Sequence, residues 1–353
     1  MIRQLARLTR PVPLAGRGAV ALSVYANDED FALAARDQGF EGVACVDDAA
    51  RAVVLLIDLY RDASDRRLLE WASGLVDFVL YMQLEDGRFH NFIRDHEGTI
   101  NTEGPTSYPG GTFWQARAVR ALAKAHLALR DERVALPLAR GFAFATEHAV
   151  PADVRSIHVL GALDLIRGGL TPVVREMIDR WCDEIAESRS GEVLLNAPDE
   201  KTPHLWGHIQ EGVLAEAAIV LDRPELLAIA RRSAELVLVP RIERAFPERT
   251  VQPYGVAAAV YVMDRLHQAT GDPRYARLRE DARAWFDGRN TAHAPVYDRV
   301  NGRVADGIDD GRLNPHSGAE SNIVAAQALL PDVAARVPAL LDEVAGYLEV
   351  AAA

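Results

Sequence analysis

The sequence predicts an all-α protein, an (α/α)6 toroid of six helical hairpins with long loops at one mouth. Three observations carry this. Apolar residues recur at i, i+3, i+4 and i+7 along almost the whole chain, and strand-like alternation is scarce. The helical segments alternate between two types, six of each. Long loops fall before several segments of the first type, where loops above about 12–15 residues in a compact domain are usually functional.

The first type is rich in Ala and Gly and reads as buried on most sides. Its members begin near Asp47 (DDAARAVVLLIDLY), Thr112 (TFWQARAVRALAKAHLAL), Asp153 (DVRSIHVLGALDLI), His208 (HIQEGVLAEAAIVL), Pro253 (PYGVAAAVYVMDRL) and Ser317 (SGAESNIVAAQALL). The second type is amphipathic with one charged face. Its members span 65–82, 132–149, 171–188, 224–238, 273–287 and 331–350. Small-faced helices would line the inside of the ring and amphipathic ones the outside. A right-handed solenoid of hairpins is the alternative, and the absence of a fixed-period consensus argues against it. The expected organisation is a lead-in over 1–25 and one barrel domain over 26–353.

Composition narrows the function. The chain has 353 residues, a formal net charge of −12, 49% hydrophobic residues and two cysteines. The acidic balance argues against nucleic acid as a partner. No apolar run of about 18 residues is present to span a membrane. The apolar patch near the N-terminus is broken by Pro11, Pro13, Gly16 and Arg17, so a secretory signal is not expected and the cytoplasm is the default. Cys45 and Cys182 read as small buried apolar residues.

Four loops, 83–111, 189–207, 239–252 and 288–316, precede inner helices and would gather at one mouth. They and the adjoining first turns hold aromatics (Phe89, Phe92, Tyr108, Phe113, Trp114, Trp206, Tyr254) and carboxylates (Asp47, Asp48, Glu211, Asp306, Asp309, Asp310, Glu320). Polar partners are His90, Asn91, Asn101, Gln115, His204, His208, Gln210, Gln252, Asn314 and His316. Aromatic faces stack on a pyranose, while amides and carboxylates bind its hydroxyls, so the mixture fits a carbohydrate.

Bland readings stand beside these. Asp47 and Asp48 can cap the helix that they open. Adjacent helical residues diverge by about 100°, so one of the pair, Asp48, is expected to face a ligand. Ser317 with Glu320, and Thr112 with Gln115, have capping-box spacing. Glu211 is a charge on a buried-looking helix and must be paired or face a cavity. His90 can be a core histidine. No metal-ligand spacing, nucleotide motif or serine-hydrolase motif is present, and neither metal nor cofactor is expected.

The order of short motifs carries a resemblance. GVACVDDAARA, RFHNFI, WQARAVRAL, GHIQEGVLAEA, VQPYGVAAAV, FDGRN, VYD and NPHSGAESN follow one another from about residue 40 to 330. This succession resembles the six-hairpin glycosidase-like superfamily. More narrowly, it resembles the helical-barrel proteins associated with retaining glycosyltransferases. Asp47, Asp48 and Arg51 match that group's first motif, with Ala49 in place of its Asn; Phe89 to Phe92 match fully. Gln252 with Pro253, and Asn314 with Gly318 to Ser321, also match. Around Thr112 to Arg117 the usual carboxylate and histidine give way to Phe113, Trp114 and Gln115. The aspartate pair is also similar to that of endo-α-1,6-mannanases, where the resemblance implies that the pair performs the catalysis.

The resulting expectation is a glycoside hydrolase acting on an oligo- or polysaccharide. Its two carboxylates come from Asp47, Asp48, Glu211 and Glu320, with Asp48 as base or nucleophile and Glu211 as acid. Arg51, His90, Asn91, Trp114, Gln115, Trp206, His208, Gln252, Tyr254, Asn314 and His316 are the expected sugar contacts. Three rivals remain. A phosphorylase would hold phosphate with Arg51, Arg117 or His316. An epimerase or isomerase would use paired histidines such as His90 and His208. A non-catalytic carbohydrate-binding protein needs neither.

Overall fold

The computed structural model describes residues 1–14, 18–26, 39–169 and 172–352. The first residue of the outer helix expected from 171, part of the lead-in at 15–17, and residue 353 lie outside the described residues. All twelve expected helices are present. In chain order the helices are α1 (Ile2–Leu8), α2 (Val46–Ala63), α3 (Arg67–Tyr81), α4 (Thr112–Leu129), α5 (Ala135–Glu147), α6 (Ala152–Arg167) and α7 (Pro172–Glu187). They continue as α8 (Gln210–Leu221), α9 (Pro224–Val237), α10 (Val239–Glu243), α11 (Pro253–Thr270), α12 (Pro273–Arg283), α13 (Ala319–Ala328), α14 (Leu330–Ala334) and α15 (Val337–Ala352).

The departures from expectation have local causes. The outer helix expected over 331–350 is two helices, each with a proline in its first turn, Pro331 in α14 and Pro338 in α15. Proline lacks the N–H that a helix interior needs, so it starts helices and interrupts them. The segment 132–149 opens as a 3-10 turn, with the Asp131 side chain accepting from the Arg133 N–H. The lead-in holds α1, which periodicity did not single out. The long loops carry short antiparallel pairs, such as Ala44–Cys45 with Phe92–Ile93.

The two helix types differ as expected in what they bury. α6 and α8 are buried on nearly every side. α9 buries only the stripe Leu226, Ala230, Ser233, Ala234 and Val237. Small residues allow close approach: a Cβ at Gly212 on α8 would stand 2.5 Å from the Tyr261 ring of α11.

The chain forms two compact units. One comprises Met1–His148, Asp298–Asp306 and Pro315–Ala353. In it α2 packs against α3, α4 and α13, and α1 lies on α13 and α15. The other comprises Ala149–Tyr297 and Gly307–Asn314. There α8 packs against α6, α7, α9 and α11, and α11 against α12. In this unit Gly307–Asp309 pairs with both Arg312–Asn314 and Thr250–Val251, just before α11. Both cysteines are buried and unbridged. Among the described residues no helix is long and apolar enough to cross a membrane.

Candidate functional site

In the first unit, carboxylates gather where α2 begins. Cys45 is the extended N-cap, and its sulfur accepts from the Asp48 N–H at 3.4 Å. Asn91 ties the helix start to the neighbouring loop. Its carbonyl oxygen accepts from Val46, its side-chain oxygen from the Asp47 N–H at 3.2 Å, and its amide donates to Thr106. Neither aspartate carboxylate is the cap, so both are left for other partners.

Arg51, one turn along α2, collects them. Its Nη1 donates to Asp48 Oδ1 at 2.8 Å, and its Nη2 lies 3.1 Å from Asp47 Oδ2. The same Nη2 pairs with Glu320 in the first turn of α13. Arg117 on α4 also donates to Asp47, while its guanidinium lies 4.9 Å from the Phe113 ring centre. One guanidinium thus reaches both aspartates. The Asp48 side chain is 7% exposed and that of Glu320 is 33% exposed.

Their proton affinities diverge. Burial pushes Asp48 up to about 7 against the pull of Arg51, and the charges of Glu320 and Asp47 add to the rise. Burial would raise Asp47 as well, but Arg117 and Arg51 outweigh it and hold its carboxyl below the usual range. Environments that separate two carboxyls in this way are how one pair serves as acid and base.

Several residues expected to contact sugar have partners within the protein. The Gln115 side chain accepts from the Phe89 N–H and donates to the Gly87 carbonyl, both at 2.9 Å. Gly111, not Thr112, caps α4, so the T-x-x-Q box does not form. Trp114 is buried and donates its indole N–H to Phe89 O at 3.0 Å. Exposed Tyr108 meets its ring edge to face at 5.2 Å. The Ser317–Glu320 box is also absent: Gly318 caps α13, and the Ser317 hydroxyl accepts from Asn322. His90 is buried, and that burial lowers its pKa. His316 contacts the Tyr25 hydroxyl. Asp306 accepts from the Gly318 N–H at 2.8 Å, and its pKa is raised chiefly by burial.

The second unit holds a separate buried chain of polar groups. Glu211, in the first turn of α8, accepts from the Ser233 hydroxyl at 2.6 Å and lies 2.8 Å from His208 Nε2. His208 Nδ1 lies 3.2 Å from Asn196 Oδ1, and the Asn196 amide donates to Asp153 and Trp206 O. Glu211 and His208 are fully buried. Burial would raise the Glu211 carboxyl, but His208 and the Ser233 hydroxyl outweigh it and hold it low. A sealed carboxylate held ionised is the reverse of what a general acid needs, so the geometry does not favour the acid role expected for Glu211. Asp153 was not among the expected site residues. It opens α6 as Asp47 opens α2, and burial pushes it up to about 6.

A partly open aromatic group completes this unit. Trp206 and Tyr254 meet edge to face with ring centres 6.1 Å apart, and Tyr254 donates to Gln252. Half-buried Asn314 ends the strand Arg312–Asn314. No group of three or more His, Cys, Asp or Glu side chains among the described residues is arranged to hold a metal ion.

No family model and no curated protein matches the sequence. Solved structures do match the fold. A sugar epimerase from a ruminal bacterium aligns with a TM-score of 0.70 at 13% identity, over 94% of this chain and 95% of that one. A D-mannose isomerase gives 0.67 at 10% identity, over 93% and 94%. A family 76 glycoside hydrolase from a bovine Bacteroides thetaiotaomicron strain gives 0.65 at 10% identity, over 93% and 76%. The chain has the (α/α)6 fold that the alternation of helix types predicts.

Proposed function

We propose that this chain is a carbohydrate-active enzyme, a glycoside hydrolase in which Asp48 is the acid and Asp47 the nucleophile. The observation that carries the reading is the divided aspartate pair: adjacent carboxyls joined by Arg51, one held below the usual carboxylate range and the other pushed up to about 7. Glycosidic cleavage needs one ionised and one protonated carboxyl. Asp48 would protonate the glycosidic oxygen while Asp47 attacks the anomeric carbon. Water, deprotonated by Asp48, would then release the sugar. Adjacency favours the shorter carboxyl separation, about 5–5.5 Å, which goes with retention.

Phe113 and Tyr108, in the same unit as the aspartate pair, are assigned to stack on sugar rings. The epimerase and isomerase among the neighbours of the fold support a sugar substrate equally well. Their chemistry is less well served here, because both ring nitrogens of His208 already face protein oxygens. A phosphorylase fits less well too, because Arg51 and Arg117 are committed to carboxylates. We further propose that 26–353 acts as one barrel domain, since the first unit is built from three stretches separated in the chain. A cytoplasmic location fits the two free thiols.

The test is hydrolysis of an oligosaccharide panel by the wild type, Asp47→Asn and Asp48→Asn, with the product anomer read by NMR. Turnover by the wild type and at least about a thousandfold loss in each variant is expected. Full activity in Asp48→Asn would overturn the assignment. Solvent deuterium entering the sugar would replace hydrolysis with epimerisation.

A further inference from the structure

The charges around the aspartate pair bear on which sugars it can accept. Two guanidiniums lie at the site, and both are spent within it. Arg51 is largely buried, with Nη1 on Asp48 and Nη2 shared by Asp47 and Glu320. Arg117 donates to Asp47 and covers the Phe113 ring. An anionic sugar needs cationic donors of this kind, since arginine binds carboxylate and phosphate through its N–H fork.

The more open side of the cluster is acidic. Glu320 is the most exposed of the three carboxylates that Arg51 holds. Its Oε1 is taken by Arg51, and a third of the side chain, 33%, is exposed. Asp306 stands near enough for both His316 and Glu320 to act on it, in opposite directions. A carboxylate oxygen placed this way accepts hydroxyl groups. It repels a uronate carboxylate or a sugar phosphate, and like charges brought together at an interface are strongly disfavoured. The arrangement is more than an acidic cluster, because an aromatic face, Phe113, stands over the Arg117 that grips Asp47.

We infer that the site takes a neutral oligosaccharide, and that Glu320 is the specificity-determining residue that binds its hydroxyls and turns uronates and phosphosugars away. The inference rests on the hydrolase reading of Asp47 and Asp48.

The test separates the two. Asp48→Asn is titrated by calorimetry with neutral hexose oligosaccharides, with oligouronides and with phosphorylated oligosaccharides of equal length. The wild type is assayed for turnover on the same set. Neutral glycans should bind at least about tenfold more tightly than the anionic ones. In Asp48→Asn/Glu320→Gln, neutral binding should weaken and the preference should shrink severalfold. Anionic glycans binding as well as neutral ones would overturn the inference, as would a preference unchanged by Glu320→Gln or no binding of neutral glycans. Neutral binding without wild-type turnover would sink the hydrolase reading alone. Asp48-dependent cleavage of oligouronides would keep that reading and sink this inference.

Discussion

Asp47 and Asp48 are neighbours in the chain and in space, and their surroundings drive their proton affinities in opposite directions. Arg117 grips Asp47 and holds it low, while burial and the charges of Glu320 and Asp47 raise Asp48. A pH profile follows. With Asp48 as the proposed acid, kcat/KM should fall as pH rises through about 7. With Asp47 as the proposed nucleophile, the acid limb should lie below the ordinary aspartate value. Glu320→Gln removes a charge that helps to raise Asp48, and should move the alkaline limb to lower pH. A limb that stays in place in that variant would detach Asp48 from the profile.

Arg51 holds three carboxylates while itself largely buried. Arg51→Met leaves those charges facing one another. The expected loss at pH 7 is about 3–5 kcal/mol, the usual result of removing one partner of a buried pair. The deficit should shrink on acidification, as the carboxylates take up protons. Urea unfolding at several pH values would show this, and a deficit independent of pH would contradict the clamp.

Gln115 fastens the loop containing His90 and Asn91 to α4. Gln115→Ala strands a buried N–H and a buried carbonyl, at about 1–3 kcal/mol each. Gly111 is a steric companion test. Its φ of −65° suits alanine, so the backbone raises no objection. An added Cβ would stand 1.6 Å from Trp114 Cζ2. Gly111→Ala should displace the Trp114 ring, cost about 1–3 kcal/mol and shift the tryptophan fluorescence.

The second unit should respond to pH in two directions. Asp153 has a folded pKa of about 6, above its ordinary value of 3.8. The folded state therefore binds the proton more tightly, and this contribution to stability is present at low pH and lost as pH rises through about 6. Asp153→Asn should flatten that fall and stabilise the protein at pH 7. Glu211 is held below its ordinary value, so its contribution is present above that value and lost as pH drops through the folded one. Ser233→Ala removes a hydrogen bond to Glu211 and should cost about 1–3 kcal/mol at neutral pH. Urea midpoints across pH 3–8 test both residues, and parallel curves for all variants would contradict both assignments.

Most of the fold was legible from periodicity. The Ala-rich runs of α6 and α8 bury nearly all sides, and the stripe of α9 is visible as spaced apolar residues. The short strands were not legible, because two or three residues carry no period. The carboxylates Asp47, Asp48, Glu211 and Glu320 could be named from charge on helices that otherwise read as buried. Asp153 carried the same signal and could have been included. Asn196 and Ser233 had none, since a polar residue in a loop or on an amphipathic helix is ordinary.

The sequence by itself determined where helices begin and which are buried, because those follow from propensity and spacing within about one turn. The division of labour among the carboxylates came only with the tertiary structure. Capping-box spacing at Ser317 and Glu320 is a local offer, and Arg51 from α2 outbids it. Glu211 and Asp48 look alike as charges on small-faced helices. One is sealed against His208 and Ser233, and the other shares a guanidinium with two rival carboxylates. Burial and neighbouring charge set a pKa, and both come from packing between residues far apart in the chain.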